Sequence, residues 1–404
     1  MIDTLNTTPG TRGPQAGWLN TLLMGILHFV SDFYCDVLPV VLPLLALKFN
    51  LSYSECGALF MVFSVTTHFI QPPIGIAADT HSINYLMPLS VLFGGVLVCA
   101  VSLAPNIYLV LLIVFLSGIC TSGFHPIAGG IVPNVSIANK EVLSTSIFIV
   151  GGNIGFAVAP LIVAAFMEYA GFENLILLGL PAIVLTIIAF ARRLHVKVNI
   201  KSDAHVPNLK EIVRNKQFML FLLAIGLRSW CYCSLLIYIP LLMNSEGFSS
   251  VQGASAVMVM LLGTAAGGLA TGGLSARFGL KSLIMATFVL TLLAESYFLY
   301  DPGLGIASYI ALFLTGCGMY GSTPVAIVWA RRILSDKAAG LATSLMLGFT
   351  FGIGYIVCVV TGFIGDFVGL KLGLAFTIIP AIVCAMIVLA TLKEPKIIME
   401  NLSE

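Results

Sequence analysis

Long apolar stretches recur from one end of the chain to the other, separated by short clusters of charge, Pro and Gly, and this pattern leaves few folds open. Cutting at those clusters gives twelve segments, near 17–47, 55–78, 83–104, 107–132, 142–168, 172–192, 214–244, 249–276, 280–300, 303–334, 337–365 and 370–392. Each approaches or exceeds the roughly 20 apolar residues that carry a helix across a bilayer. In hydrocarbon every backbone N–H and C=O must be satisfied within the protein, so only helices and closed barrels span membranes. The period-two alternation of a barrel strand is absent. The expected fold class is an all-α polytopic membrane protein with twelve transmembrane helices. Only 9% of the 404 residues are Asp, Glu, Lys or Arg, against roughly 25% in a soluble domain. Soluble enzymes, nucleic-acid binders and disulfide-stapled secreted scaffolds are thereby excluded. The first segment outruns a signal-peptide core and no A-x-A site follows it, so the N-terminus is expected to stay attached.

The formal net charge of +1 carries little information until the charges are sorted by position. With both termini cytoplasmic, sixteen of the nineteen Lys and Arg fall on the cytoplasmic side: Arg12, Lys140, Arg192, Arg193, Lys197, Lys201, Lys210, Arg214, Lys216, Arg277, Lys281, Arg331, Arg332, Lys337, Lys393 and Lys396. Lys48 and Lys371 fall outside, and Arg228 lies within a span. That asymmetry sets the orientation. It makes 1–16 and 394–404 cytoplasmic tails of a protein in the cell inner membrane, and 193–213 a cytoplasmic linker between bundles at 17–192 and 214–393.

The two bundles repeat. An offset of 198 residues aligns Gly118 with Gly316, Gly123 with Gly321, Pro126 with Pro324, Leu143 with Leu341, Ser146 with Ser344, Gly171 with Gly369, and Glu168 with Asp366. A constant offset over several spans indicates duplication of a six-helix unit. An even number of spans per unit gives both halves one orientation, the parallel-repeat arrangement of transporters with a site at mid-membrane.

Ionisable groups within spans are costly, about 2.5–3.5 kcal/mol each near the bilayer centre on insertion scales, so they are functional candidates. His28, Asp32 and Asp36 are spaced i, i+4, i+8 and fall on one helical stripe about 12 Å long. Asp32 lies 14 residues after Trp18, about 21 Å along a helix and near mid-membrane. The stripe reads as a proton-coupling group centred on Asp32, with a static polar cluster as the alternative. Pro39 and Pro43 are expected to kink this helix. Arg228 offers a planar fork suited to carboxylate, phosphate or phosphonate. It could equally be the fixed partner of Asp32 or Asp36. Trp230, Tyr232 and Tyr238 flank it and are candidates for an amphipathic pocket. Glu295 is expected to snorkel to the outer surface. Gly151, Gly152 and Gly155 suit close helix packing, with Gly348, Gly352 and Gly354 as their counterpart, and Asn153 is a candidate cavity residue. The nine cysteines are odd in number and lie mostly within spans, so free thiols are expected.

The loop after span two reads Gly75-Ile-Ala-Ala-Asp79, and the loop after span eight reads Gly272-Gly-Leu-Ser-Ala-Arg277-Phe-Gly279-Leu-Lys281. Together they resemble two worn copies of the G-x-x-x-D-R-x-G-R-K signature of the major facilitator superfamily. The segments His28-Phe-Val-Ser-Asp32, Gln71-Pro72, Phe124-His125-Pro126 and Ser146-Ile-Phe-Ile-Val-Gly151-Gly152-Asn153-Ile-Gly155 resemble the fosmidomycin-resistance group of that superfamily, most strongly in the N-terminal half. The resemblance implies the two-bundle fold of the superfamily and proton-coupled efflux of small polar or anionic compounds. It also implies that His68, Gln71 and His125 face the cavity. The chain departs from the group at Ile127, where an acid often follows His-Pro, and at Arg331-Arg332, where a Gln is usual; both changes leave more positive charge.

The expectation is a secondary transporter working by alternating access, a proton antiporter that exports a drug, phosphonate or metabolite. Asp32, Asp36 and His28 would couple protons, and Arg228, His125, Gln71, His68, Asn153, Trp230, Tyr232 and Tyr238 would line the site. Gly75, Asp79, Arg277, Gly279, Lys281, Arg331 and Arg332 would serve the gate. Its partners would be solute, protons and lipid, with no nucleic acid and no cofactor, and it would act as a monomer driven by the proton gradient; no nucleotide is needed, since no P-loop is present. A second reading keeps the fold and makes the cargo a dicarboxylate, siderophore or other metal chelate. A third, remote, reading is an intramembrane metalloenzyme with His28, Asp32, Asp36 and His125 as ligands, although H-E-x-x-H is absent.

Overall fold

A computed structural model describes residues 17–135, 141–195, 213–275, 277–303, 305–334 and 344–394. Among the inward-side basic residues, Arg12, Lys140, Lys197, Lys201, Lys210, Lys337 and Lys396 lie outside that set, as do most of the linker and both tails. All regular structure among the described residues is helical. Among the described residues, eleven helical stretches are long and apolar enough to cross a membrane, from Trp18–Phe49 to Leu370–Thr391. Span two, Tyr53–Thr80, is a further helix of 28 residues. It is not among the eleven, and His68, Gln71 and several Ser and Thr make it polar for a span.

The helices begin where local chemistry allows. Asn106 accepts from Leu109 N at 3.0 Å and Asn215 from Phe218 N at 3.1 Å. Ser249 and Gln252 form a reciprocal capping box at the start of Ser250–Leu274. Each side chain satisfies a backbone donor that the first turn leaves orphaned. The repeat is also visible in the backbone. Gly171 and Gly369, one offset apart, take φ 86°, ψ 153° and φ 86°, ψ 149°. Few side chains tolerate this positive-φ conformation.

Two spans that read as single helices are broken. Span one runs Trp18–Cys35 and resumes as Val37–Phe49, with Asp36 at φ −99°, ψ 6° between them. Span four runs Ile107–Thr121 and resumes as Phe124–Val135. Both breaks lie four residues before a proline, Pro39 and Pro126. Proline has no N–H for the carbonyl four positions back and its ring collides with it, which frees Cys35 O and Ser122 O from the helical ladder. The kink expected from Pro39 and Pro43 therefore falls ahead of both.

By contacts the described chain divides into two compact units. The first comprises residues up to Cys35, Ile70–Phe156 and Gly171–Ser202; the second comprises Asp36–Phe69, Ala157–Ala170 and Asp203 onward. In the first, the part of span five (Glu141–Ala170) up to Phe156 approaches span one more closely than any side chain would permit. A Cβ at Gly151 would strike Gly25 O, and one at Gly155 would strike Phe29 O. These glycines let backbones touch where the bilayer supplies no hydrophobic force to bring helices together. Gly352 and Gly354 pack likewise on Phe69 and on the Ser229 backbone in the second unit, whereas Gly348 meets nothing within 4 Å. Gly155→Leu is expected to destabilise the purified protein by at least the roughly 1–3 kcal/mol typical of overpacking, read as a lower melting temperature in detergent. An unchanged melting temperature would mean that this contact does not hold the spans together.

Candidate functional site

The broken span four is what builds the site in the first unit. Restarting the helix at Phe124 puts His125 in its first turn, with its Nε2 3.2 Å from Asp32 Oδ1. On span one, His28 Nε2 lies 3.1 Å from Asp32 Oδ2, the i, i+4 contact that the spacing predicts. Asp32 thus sits between two imidazoles. His28 is buried, its ring stacked on Phe148 with centroids 4.1 Å apart, while the His125 side chain is 39% exposed. The tight packing of span five reaches here too, because a Cβ on Gly152 would come within 2.6 Å of Asp32 Oδ2 and 2.5 Å of His28 Nε2.

Proton bookkeeping in this cluster follows from one bond. His28 Nδ1 is 2.8 Å from Phe148 O. A carbonyl only accepts, so Nδ1 carries the hydrogen. Nε2 then faces a carboxylate oxygen, and two bare acceptors repel. A proton therefore lies between His28 Nε2 and Asp32 Oδ2, on one or the other atom.

Asp36 does not extend the stripe, because the helix carrying His28 and Asp32 ends at Cys35; it is buried at the break. His68 turns its Nδ1 to its own helix, at 2.8 Å from Ser64 O, with its ring 5.7 Å from that of Tyr355. Gln71 is half-buried on the same helix, and Asn153 is exposed beside Gly152.

Arg228 is almost fully buried, at 1% exposure, in the second unit. Its partners are neutral oxygens. Nη1 donates to Met319 O at 2.9 Å, Ser322 Oγ at 3.1 Å and Thr323 Oγ1 at 2.6 Å, and Nη2 donates to Ser229 Oγ at 3.0 Å. The guanidinium also lies 5.5 Å from the centroid of the Phe351 ring. Span ten, Ile306–Leu334, carries Pro324 and supplies three of these acceptors. Fixed pairing with Asp36 is thus not what holds the fork. Nε has no hydrogen-bond partner among the described residues.

The aromatics near Arg228 divide. Tyr232 packs with Tyr320 and Phe351, ring centroids 5.8 and 5.5 Å away. Trp230 Nε1 donates to Thr361 Oγ1 at 3.1 Å. Tyr238 is three turns further on, and its hydroxyl donates to Tyr53 O and Cys358 O, so it joins the outer packing rather than Arg228. Glu295 overturns the snorkelling expectation. It is 0% exposed and neither carboxylate oxygen has a partner among the described residues. Its helix, Leu280–Tyr300, packs on spans ten and twelve, and Glu295 lies on the inward face.

The second motif copy forms a reciprocal clasp. Glu394 accepts from Leu280 N at 2.9 Å and Lys281 N at 3.1 Å, while Lys281 Nζ donates to Ala390 O at 2.7 Å and Leu392 O at 2.6 Å. An anion thus meets the start of one helix and a cation the end of another, the placement that helix dipoles favour. Arg332 Nη1 is 3.9 Å from Glu394 Oε1, Arg331 is half-buried, and Arg277 and Gly279 are exposed. In the first copy, a Cβ at Gly75 would lie 3.5 Å from Pro126, and Asp79 lies in the last turn of its helix, which ends at Thr80. Glu394 escaped the sequence reading because it stands outside the motif.

Asp366 was visible only as the repeat equivalent of Glu168. It accepts from Tyr53 N at 2.6 Å and Ser54 N at 3.1 Å, and so caps span two across 313 residues of chain.

Comparison with known proteins bears on the whole chain. The sequence description of the Major Facilitator Superfamily matches residues 24–279 and 242–403. An uncharacterised MFS-type transporter of Bacillus subtilis, YfnC, is 27% identical over 361 residues, covering 86% of this chain and 87% of its own. The fosmidomycin resistance protein of Escherichia coli is 24% identical over 357 residues, covering 85% and 86%. Among solved structures, a bacterial homologue of the human lysosomal transporter Spinster, inward-facing and occupied, superposes with a TM-score of 0.75 at 17% identity, over 92% of this chain and 95% of that one. The nucleoside transporter NupG superposes with a TM-score of 0.74 at 15% identity, over 92% and 99%. At those identities the two structures speak for the fold alone.

Proposed function

This chain belongs to the Major Facilitator Superfamily, a multi-pass membrane transporter of small molecules rather than an enzyme, and we propose that it exports a small polar or anionic compound in exchange for protons. The single observation that supports the coupling is the placing of Asp32 between two imidazoles, with His28 Nε2 3.1 Å from Oδ2 and His125 Nε2 3.2 Å from Oδ1. A half-buried carboxylate between two imidazoles can share protons with both, and each proton gained or lost changes the charge of the cluster. Alternating access of the bundles 17–192 and 214–393 turns that charge change into direction. The protein sits in the inner membrane as a monomer with both termini cytoplasmic.

Solute capture falls to Arg228, whose Nε has no hydrogen-bond partner among the described residues, with Tyr232 and Trp230 from the same helix; His125, Gln71, His68 and Asn153 are the further candidates for solute contact. Asp36 modulates the coupling group. Arg228 favours an oxyanion such as a phosphonate or carboxylate. A relative named for resistance to a compound supports export. The test is purified protein in liposomes under an imposed pH gradient, with a trapped pH dye and a panel of phosphonates, organic acids and cationic drugs. Anions are expected to trigger proton movement opposite to their own. Solute flux without accompanying proton movement would reject the coupling, and proton movement triggered by cations only would reject the anion class.

A further inference from the structure

We infer that His28, Asp32 and His125 form a binding site for a divalent transition-metal ion of the cobalt, nickel or zinc type. The three offer one ligand atom each, and those atoms all lie within 4.8 Å of one another. Metal–nitrogen and metal–oxygen bonds of about 2.0–2.2 Å place neighbouring ligands roughly 3 Å apart. The two measured separations, 3.1 Å from His28 Nε2 to Asp32 Oδ2 and 3.2 Å from His125 Nε2 to Asp32 Oδ1, have that size; they run to different oxygens, so Asp32 would ligate through both or turn to present one.

The surroundings fit a metal as well as the distances do. His28 Nδ1–H donates to Phe148 O, which leaves Nε2 as the ring nitrogen turned toward Asp32, where the ion would take the place of the proton that the pair shares and release it to solvent. An imidazole that donates its other N–H to a carbonyl is the usual second-sphere arrangement of a metal-bound histidine. Phe148 stacks on that ring and holds its plane, and Gly152 leaves the ligand atoms uncrowded. Two imidazoles and one carboxylate select a borderline transition ion over magnesium or calcium, which prefer oxygen. One carboxylate and two neutral imidazoles leave open positions on the ion for water or for a solute carboxylate. The ion would tie span one to span four within one unit.

The inference concerns what the three side chains bind rather than what they couple. It is tested on detergent-purified full-length protein, with any histidine tag removed and no gradient present, titrated with cobalt chloride. The expected result is one Co²⁺ per chain with visible d–d absorption of a nitrogen- and oxygen-ligated ion. His125→Gln and Asp32→Asn are each expected to weaken it by roughly 10- to 100-fold or more, since losing even a second-sphere group costs that much. A His28→Gln variant with unchanged helical circular dichroism serves as the third arm. Absence of stoichiometric Co²⁺ binding to the folded wild-type protein would overturn the inference. So would binding that survives all three substitutions, or a spectrum dominated by thiolate charge transfer, which would place the ion at a cysteine. Wild-type binding with no proton-coupled flux would uphold the metal site and reject the coupling reading; the converse would do the reverse.

Discussion

Asp32→Asn is expected to abolish accumulation of solute against a pH gradient while solute exchange across the membrane continues. In proteoliposomes, gradient-driven flux should fall about 100-fold or more, corresponding to roughly 2.7 kcal/mol or more of lost coupling. Counterflow of labelled solute against unlabelled solute, which needs no proton, should stay within a few-fold of wild type. The substitution is nearly isosteric, and the amide can still donate to His28 Nε2 or accept from it, so the packing against Gly152 and the 3.1 Å contact survive. What is lost is the group that changes charge. Full gradient-driven flux in this variant would end the coupling proposal for Asp32, and equal loss of flux and counterflow would mark a folding or binding defect instead.

Arg228→Met is expected to weaken binding of an anionic solute by about 30-fold or more, the loss of a charge-assisted contact of some 2 kcal/mol in a dry site. The structural cost should be smaller. Taking a buried charge out of water is itself expensive, so replacing it by an apolar side chain of similar length is often close to neutral. Two of the three hydroxyls it leaves have other partners, since Ser322 Oγ reaches Met319 O at 3.3 Å and Ser229 Oγ reaches Thr350 Oγ1 at 3.3 Å. Solute affinity by thermal shift, set beside the melting temperature without solute, separates the two effects. A large fall in melting temperature with unchanged affinity would make Arg228 a clamp between spans seven and ten and remove it from the solute site.

Much of the candidate site was legible in outline. His28 and Asp32 are one helical turn apart, so their contact followed from spacing alone. His125 was placed by resemblance to a family, because nothing within span four says which face it shows. Arg228 stood out as the one deep basic residue, yet its partners come from Met319, Ser322 and Thr323, about ninety residues away. Glu295 stands five residues from its helix end, a position that predicts snorkelling, and only the packing of its helix shows that it faces inward. Glu394 and Asp366 carried no local signal, since each caps a helix remote in the chain.

The amino-acid sequence by itself determined the solvent, the number of spans and the duplication, because apolar length, charge placement and a constant offset are one-dimensional quantities. It also located the prolines, though not which of them break a helix: the breaks precede Pro39 and Pro126, while Pro160, Pro240, Pro324 and Pro380 lie within continuous helices. Only the tertiary structure decided which buried polar groups meet. In a membrane interior the backbone satisfies itself within each helix, so the pairing of His125 with Asp32 and of Arg228 with span ten depends on how helices pack and rotate against one another. That rotation is set by glycine contacts such as Gly151 on Gly25 and Gly155 on Phe29, whose partners no local pattern specifies.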